Sequence, residues 1–293
     1  MSARTVIATG CSSNIGFEAI KALLVQTQTA YHFVLGVRSP SKSKADYDQI
    51  KYDTNKHKLE LLQLDAGDLK QVKNFAGEAL AKLGSEPLSY VFHNVAWVDK
   101  ANTPNKSNSY WCESELVNHL GQHYLTHLLR EKIVQSHSRI VFVNSAAPRG
   151  VKDPNDVEGI LKQGSEAEFG DIYSASKLTQ LWSAHWWRRQ LGKDATVIAV
   201  SPGLIPGTQL GRNSTMKIPA GHPDAKTIEE GGQNLLRAWF KEESDFPSDP
   251  DQIFLTSWGE WWATDNPSKF ALDKELQDKW SPSQEQIEKE HGL

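Results

Sequence analysis

The chain has 293 residues and a formal net charge of -4, a balance that gives no electrostatic reason to expect nucleic acid or an anionic membrane surface as a partner. Its two cysteines, Cys11 and Cys112, do not suffice for a disulfide framework or a cysteine-rich metal site and suit a reducing, cytoplasmic setting. The first residues run straight into an apolar stretch at 5–9, so no signal peptide is expected, and no apolar run approaches the length of a membrane span. The length favours one large α/β unit over 1–293 rather than two small ones.

Residues 6–9 read as a buried strand, broken by Gly10-Cys11-Ser12-Ser13-Asn14-Ile15-Gly16 before helical spacing over 17–24. Strand, glycine turn and helix make a nucleotide-binding beginning. Glycine lets backbone approach a phosphate closely, and a helix N-terminus offers free N–H groups and positive dipole charge to an anion. Taken alone, such a turn is equally an ordinary strand-to-helix connection. A second strand over 32–37 is followed at once by Arg38, with Ser39, Ser41, Lys42, Ser43 and Lys44 close behind. No acid ends that strand. An arginine with serines accommodates a 2′-phosphate where an acid would bind ribose hydroxyls, so the chemistry favours NADP over NAD; the competing reading is a solvated basic loop. Residues 45–58 are polar and predict a helix and a turn.

Strands over 59–64 and 88–93 end at Asp65 and at Asn94-Val95-Ala96-Trp97, with helical spacing over 69–83 between them. The alternation predicts an α/β fold, a doubly wound parallel sheet of Rossmann type in three layers, with ligands at the carboxyl ends of the strands. Those ends carry Gly10, Arg38, Asp65 and Asn94. A long helix is predicted over 113–135; it contains Asn118, Gly121 and three histidines, His119, His123 and His127, spaced by four along one face. No His-Glu-x-x-His pattern or carboxylate cluster completes a ligand set, so the stripe is expected to face solvent or a subunit contact, and no metal is expected.

A fifth strand over 139–143 delivers Asn144-Ser145. The loop over 146–172 that follows is long for a compact domain, and loops of that length often cover a site. Helical spacing over 172–190 opens with Tyr173-Ser-Ala-Ser-Lys177, which puts a phenol and an ammonium on one helix face. The ammonium favours the tyrosinate and so eases proton donation near neutral pH. Tyr47 and Lys51, and Tyr52 and Lys56, have the same spacing, but only Tyr173 opens a helix after a strand that delivers a serine. A sixth strand over 196–200 ends at Pro202-Gly203 and leads into a loop over 204–226. A capped helix over 227–240, a strand over 253–258 and a polar helical tail over 261–293 complete the chain, with Phe270, Leu272, Leu276, Trp280 and Ile287 as the tail's packing contacts. The ten tryptophans read mainly as core or interface residues. Trp97, just past a strand tip, is singled out as a wall for a flat apolar substrate.

In this order the set resembles the short-chain dehydrogenase/reductase family over nearly the whole chain. Thr9-Gly10 through Gly16 is similar to the family's Thr-Gly-x-x-x-Gly-x-Gly turn, with Asn14 where a glycine is usual, a residue that tolerates left-handed backbone. Asp65 matches its adenine-contacting acid, and Asn94-Val95-Ala96 its Asn-Ala-Gly element. Asn118, Ser145, Tyr173 and Lys177 fall at its catalytic positions, and Pro202-Gly203 at its loop over the nicotinamide; Gly207 stands where its threonine is usual, with Thr208 next. Val37-Arg38, the long gap before Tyr173 and Ser257-Trp258-Gly259 loosely resemble the subgroup of retinol dehydrogenases and light-dependent protochlorophyllide reductases.

The resemblance implies an NADP(H)-dependent oxidoreductase acting on a carbonyl, alcohol or polarised double bond of an apolar, aromatic or polycyclic small molecule. In it Tyr173 gives or takes the proton, Lys177 holds the nicotinamide ribose, Ser145 bonds the substrate oxygen and Asn118 holds a relay water. Implied cofactor contacts are Gly10, Ser12, Ser13, Asn14, Ile15, Gly16, Arg38, Asp65, Asn94, Tyr173, Lys177, Pro202, Gly203 and Thr208; Trp97, Ser145 and Tyr173 line the substrate. Two other function classes stay open, a non-catalytic NADP(H)-binding sensor or scaffold and a non-redox enzyme of cyclisation or dehydration. A homo-oligomer also stays open, since an apolar helix face reads alike in a core and against a twin subunit.

Overall fold

The structure, a computed structural model, describes residues 3–206, 208, 210 and 222–293. Its strands are β1 (Arg4–Thr9), β2 (Tyr31–Val37), β3 (Lys58–Gln63), β4 (Leu88–His93), β5 (Arg139–Val143), β6 (Thr196–Val200) and β7 (Phe254–Leu255). They form one seven-stranded sheet of order β3-β2-β1-β4-β5-β6-β7, and every neighbouring pair is parallel. The order reverses between β1 and β4, and such a switch point opens a crevice at the carboxyl ends of the strands. The sheet and the layers match the doubly wound expectation.

Alternation along each strand sends side chains to opposite faces. Val6, Ala8, Phe33, Leu35 and Phe92 go to one core, while Ile7, Val34, Val91, Ile140 and Phe142 go to the other. The first is covered by α1 (Asn14–Val25), whose Ala19, Ile20, Leu23 and Leu24 recur at helical spacing, and by α8 (Ile228–Phe240). Gly231 and Gly232 let α8 press on α1: a Cβ on Gly232 would stand 3.1 Å from the Ala19 nitrogen. The short helix α2 (Pro40–Tyr47) lies between β2 and β3 in sequence, starting before the 45–58 segment where a helix was expected and ending inside it. The second core is covered by α3 (Leu69–Leu83) and by the helices after β4 and before β6.

The long helix expected over 113–135 is interrupted. It comprises α4 (Glu113–Glu115), a π-helical turn (Leu116–Leu120) and α5 (Gly121–Ser136). Gly121 sits where a Cβ would be 2.1 Å from the Ala66 carbonyl oxygen, so the helix can touch the backbone beyond β3 only at a residue without a side chain. The segment over 146–172 is likewise not all loop; it holds a short helix, α6 (Val157–Leu161), and two 3-10 turns. After it comes α7 (Phe169–Leu191), which places Tyr173 inside the first turns rather than at the helix start. β7 is two residues long, shorter than the strand expected over 253–258.

The histidine stripe is a correction. His119 and His123 are buried and His127 half-buried, because Trp186 and Trp187 of α7 pack on the rings and the tail closes over them. The Pro282 carbonyl lies 2.9 Å from Nε2 of His123 and 3.1 Å from that of His127. The tail, with α9 (Lys274–Lys279) and α10 (Gln284–His291), therefore straps the outer side of α5 and α7. Trp182 donates to the Phe270 carbonyl, and Tyr124 to Glu288. Trp280 and Ile287 are buried as expected, whereas Leu272 is exposed because it falls in the bend before α9.

Candidate active site

The glycine turn is built around contacts between β1 and β4. Gly10 has a φ of 69°, and a Cβ there would lie 2.5 Å from the Val95 Cα. Gly16 faces Asn94, whose Nδ2 a Cβ would meet at 2.3 Å. Asn94 Nδ2 donates to the Gly10 carbonyl at 2.6 Å, and the Tyr47 hydroxyl donates to the Cys11 carbonyl at 2.6 Å. Asn14 adopts a φ of 52°, so asparagine does supply the left-handed backbone where glycine is usual. The residues fit a dinucleotide in two respects. Ser13, the N-cap of α1, makes no side-chain cap and the first turn holds no acid, which leaves N–H groups for an anion. Asn94 Oδ1 is buried with no partner among the described residues.

Beyond β2, Arg38 is exposed and its guanidinium stands 5.6 Å from the centre of the Trp97 ring. Trp97 is half-buried, and this contact joins it to the Arg38 end of the crevice. Asp65 accepts from the Gly67 N–H at 3.1 Å through Oδ1, and its Oδ2 is paired with Lys106. Ser107 donates to the Gly67 carbonyl and accepts from the Leu69 N–H. The segment after Trp97 thus folds back over the tip of β3.

At the other end, Ser145 follows β5 and lies near Tyr173 on α7, close enough to influence its phenol. Burial raises the Tyr173 pKa, and Ser145 acts in the opposite sense. Lys177, one turn further on, is buried. Its Nζ donates to the Val143 carbonyl at 2.9 Å and to Gln180 Oε1 at 3.1 Å. Burial pushes its pKa down to about 7. Asn118 lies in the π turn, a distortion frequent at functional sites. Its side chain holds the backbone of Trp97 and donates to the Ser176 hydroxyl at 2.9 Å.

The structure therefore brings Ser145, Tyr173, Lys177 and Asn118 together at the ends of β4 and β5, and Gly10, Asn14, Gly16 and Asn94 at the ends of β1 and β4. Gly203 has a φ of 96°, and the Pro202 carbonyl before it accepts from Asn234 Nδ2 at 2.9 Å. Thr208 is half-buried; much of the 204–226 segment around it lies outside the described residues. One wall beside Tyr173 is an apolar cluster of Val98, Ala101, Val157, Leu161, Ile172 and Trp280, built jointly by the segment after β4, the 146–172 segment and the tail. An antiparallel bridge between Trp111 and Lys162 ties the first two together.

Sequence reasoning missed Tyr47, Lys106, Gln122, Ser176 and Gln180. Tyr47 was set aside because it opens no helix after a strand that delivers a serine, although its hydroxyl fixes the glycine turn. Nothing local marks the two glutamines, which stand among other buried polar residues, Asn118 and Thr126 beside Gln122 and Ser176 and Lys177 beside Gln180.

A switch-point crevice with a phosphate-ready turn at one end and a Ser-Tyr-Lys cluster at the other defines a nucleotide-dependent α/β oxidoreductase. The profile of the short chain dehydrogenases matches residues 4–154. The chain is 48% identical to a short-chain dehydrogenase/reductase of Pestalotiopsis microspora over 289 residues, 97% of this chain and 98% of that one. It belongs to the short-chain dehydrogenase/reductase family, whose members use nicotinamide cofactors. Human retinol dehydrogenase 12 is 29% identical over 246 residues, 82% of this chain and 74% of that one. Among solved structures, NADPH-bound carbonyl reductase from chicken fatty liver shares the fold with a TM-score of 0.64 at 16% identity, covering 90% of this chain and 100% of the other. Among the described residues no helix is long and apolar enough to cross a membrane.

Proposed function

We propose that the chain is an NADP(H)-dependent oxidoreductase that moves a hydride between nicotinamide and a carbonyl or alcohol carbon of an apolar small molecule, with Tyr173 giving or taking the proton. The observation that carries this reading is Lys177, buried one turn beyond Tyr173 on α7 with its Nζ on the Val143 carbonyl beside Ser145, at the same sheet edge as the glycine turn. The dinucleotide, when bound, supplies the hydride.

The turn over 10–16, including Ser12, Ser13 and Ile15, would hold the pyrophosphate on free N–H groups of α1. Arg38 would hold a 2′-phosphate, Asp65 and Asn94 would hold the adenosine, and Pro202, Gly203 and Thr208 would border the nicotinamide. During reduction negative charge grows on the carbonyl oxygen. Ser145 donates a hydrogen bond to it, and Tyr173 transfers its phenolic proton to it. The carbonyl carbon gains the hydride and the oxygen gains the proton, so the product is the alcohol and the phenolate is reprotonated from solvent. A phenol whose pKa is raised by burial is held protonated at rest. The Lys177 ammonium offsets the phenolate charge as it appears. The apolar cluster packed against Tyr173 keeps water from one side of the phenol. The segment over 146–172 faces the substrate, and 1–293 acts as one unit.

The test is tryptophan fluorescence titrated with NADPH and with NADH, followed by absorbance of the reduced nicotinamide against a panel of aromatic and polycyclic ketones. Tighter NADPH binding with ketone-dependent oxidation is the expected result. Failure of both nucleotides to bind, or product formed with no NADPH consumed, would contradict it.

A further inference from the structure

Gln180 lies on α7 one turn beyond Lys177 and is buried. Its Oε1 accepts from Lys177 Nζ at 3.1 Å and from Asn144 Nδ2 at 2.9 Å. Its Nε2 donates to Gln122 Oε1 at 2.7 Å. Gln122, also buried, donates through Nε2 to the Val95 carbonyl at 2.9 Å and the Val117 carbonyl at 3.0 Å. Asn144 in turn donates to the Lys177 carbonyl at 2.9 Å and accepts the Ser145 N–H at 2.8 Å. One amide thus joins the Lys177 ammonium to the backbone that carries Ser145, and a second ties that amide to the segment just beyond Asn94.

Buried amides are costly unless every hydrogen-bonding group is matched, and an apolar side chain of similar volume would fill the same space without that cost. A glutamine pair that is fully matched and lies between Asn118 and Thr126 on one side and Ser176 and Lys177 on the other is part of a buried polar network whose role needs a reason. Lys177 supplies one. A lysine ammonium is a point charge on a flexible four-carbon stem, so its partners decide where it stands. It has three donors, two of which go to Val143 and Gln180, which leaves one for a ligand.

We propose that Gln180 is a positioning residue that fixes the Lys177 ammonium relative to Ser145, with Gln122 as its brace. The proposal rests on the oxidoreductase reading for the roles of Lys177 and Ser145. Titratable groups on the elements packed against α7 include Glu115 on α4, His119 on the π turn, His123 on α5, Arg149 after β5, Glu158 on α6 and Asp278 on α9. Burial pushes the Lys177 pKa down, and the neutral amide of Gln180 is the side chain in direct contact with its ammonium.

The experiment labels lysine Cε with 13C in the cofactor-free chain and follows the Lys177 resonance against pH, assigned by its loss in Lys177→Met. Gln180→Glu places a carboxylate against the ammonium and raises the midpoint by about one to three units. Gln180→Met removes an acceptor and lowers it. Gln122→Met leaves both Lys177 partners in place but frees Gln180, and serves where a Gln180 variant fails to fold; its Lys177 resonance broadens or shifts. In turnover with NADPH, charged Lys177 is the active form, so the rate falls as pH rises through its midpoint. That limb moves up in Gln180→Glu and down in Gln180→Met, and kcat falls by up to about a hundredfold in the latter. Midpoints unchanged in folded variants, or a rate lowered equally at every pH with the limb unmoved, would overturn the proposal. The resonance is read without nucleotide. A shifted midpoint therefore supports the brace even where no ketone consumes NADPH, a result that sinks the oxidoreductase reading alone.

Discussion

Asn118 closes a two-bond pair on the backbone of Trp97, its Oδ1 accepting the N–H at 2.7 Å and its Nδ2 donating to the carbonyl at 2.7 Å. The side chain is fully buried and holds the segment after β4 in place, which sets Trp97 beside Arg38. A water held at this position in a relay would have to be held by backbone. Asn118→Leu leaves the Trp97 N–H and carbonyl unmatched, at a cost of about 1–3 kcal/mol each if they stay buried. We expect a lower Tm and weaker NADPH binding together, read by thermal melting and fluorescence titration. Wild-type values for both would remove Asn118 as the strut.

Arg38 is the exposed cation at the end of β2, with no acid beside it on that strand. A charge-assisted hydrogen bond contributes about 1.5–3 kcal/mol, which corresponds to about ten- to a hundredfold in affinity. Arg38→Asp should weaken NADPH by that order and strengthen NADH, because an acid suits ribose hydroxyls and repels a phosphate. Nucleotide titrations of both proteins give the ratio directly; an unchanged ratio would place the discrimination elsewhere.

Acid should destabilise the fold through its buried histidines. Burial depresses His93 to about 3 and His127 and His185 to about 4, and it holds His123 well below the ordinary range. Free histidine titrates near about 6.5. The unfolded chain therefore takes up protons that the fold refuses, and stability present above that pH is lost as pH falls toward 4. Urea midpoints at neutral pH and through the acid range should show the fall, and His127→Gln, which keeps a donor for the Pro282 carbonyl, should make it shallower. Equal slopes in both proteins would argue against the half-buried ring as a contributor.

The parts of this molecule that were legible in its sequence are those whose chemistry is local. Gly10, Asn14 and Gly16 are read from a turn that needs left-handed or bare backbone, and the structure puts φ values of 69° and 52° at Gly10 and Asn14. Tyr173 and Lys177 are read from helical spacing and from the strand that delivers Ser145. The histidine stripe was misplaced for the complementary reason: spacing by four says that three rings share a face but not what covers it, and the cover comes from Trp186, Trp187 and the Pro282 carbonyl. The Gln122–Gln180 pair joins helices far apart in sequence, and no periodicity marks such a contact. The π turn around Asn118 is equally silent, since it is followed by Gly121 pressed against the Ala66 backbone, a contact that sequence spacing does not show. Trp97, expected at the substrate, is drawn toward Arg38 by a cation–π contact that only the folded crevice creates.

The measurement that bears most directly on the account compares wild type with Tyr173→Phe, recording NADPH affinity by fluorescence and ketone-dependent NADPH oxidation in the same preparations. The phenol is the proton donor in the proposed chemistry, and general acid catalysis is worth about a hundred- to ten-thousandfold. The account predicts near wild-type NADPH binding with turnover reduced by about that factor. Undiminished turnover in Tyr173→Phe would contradict it.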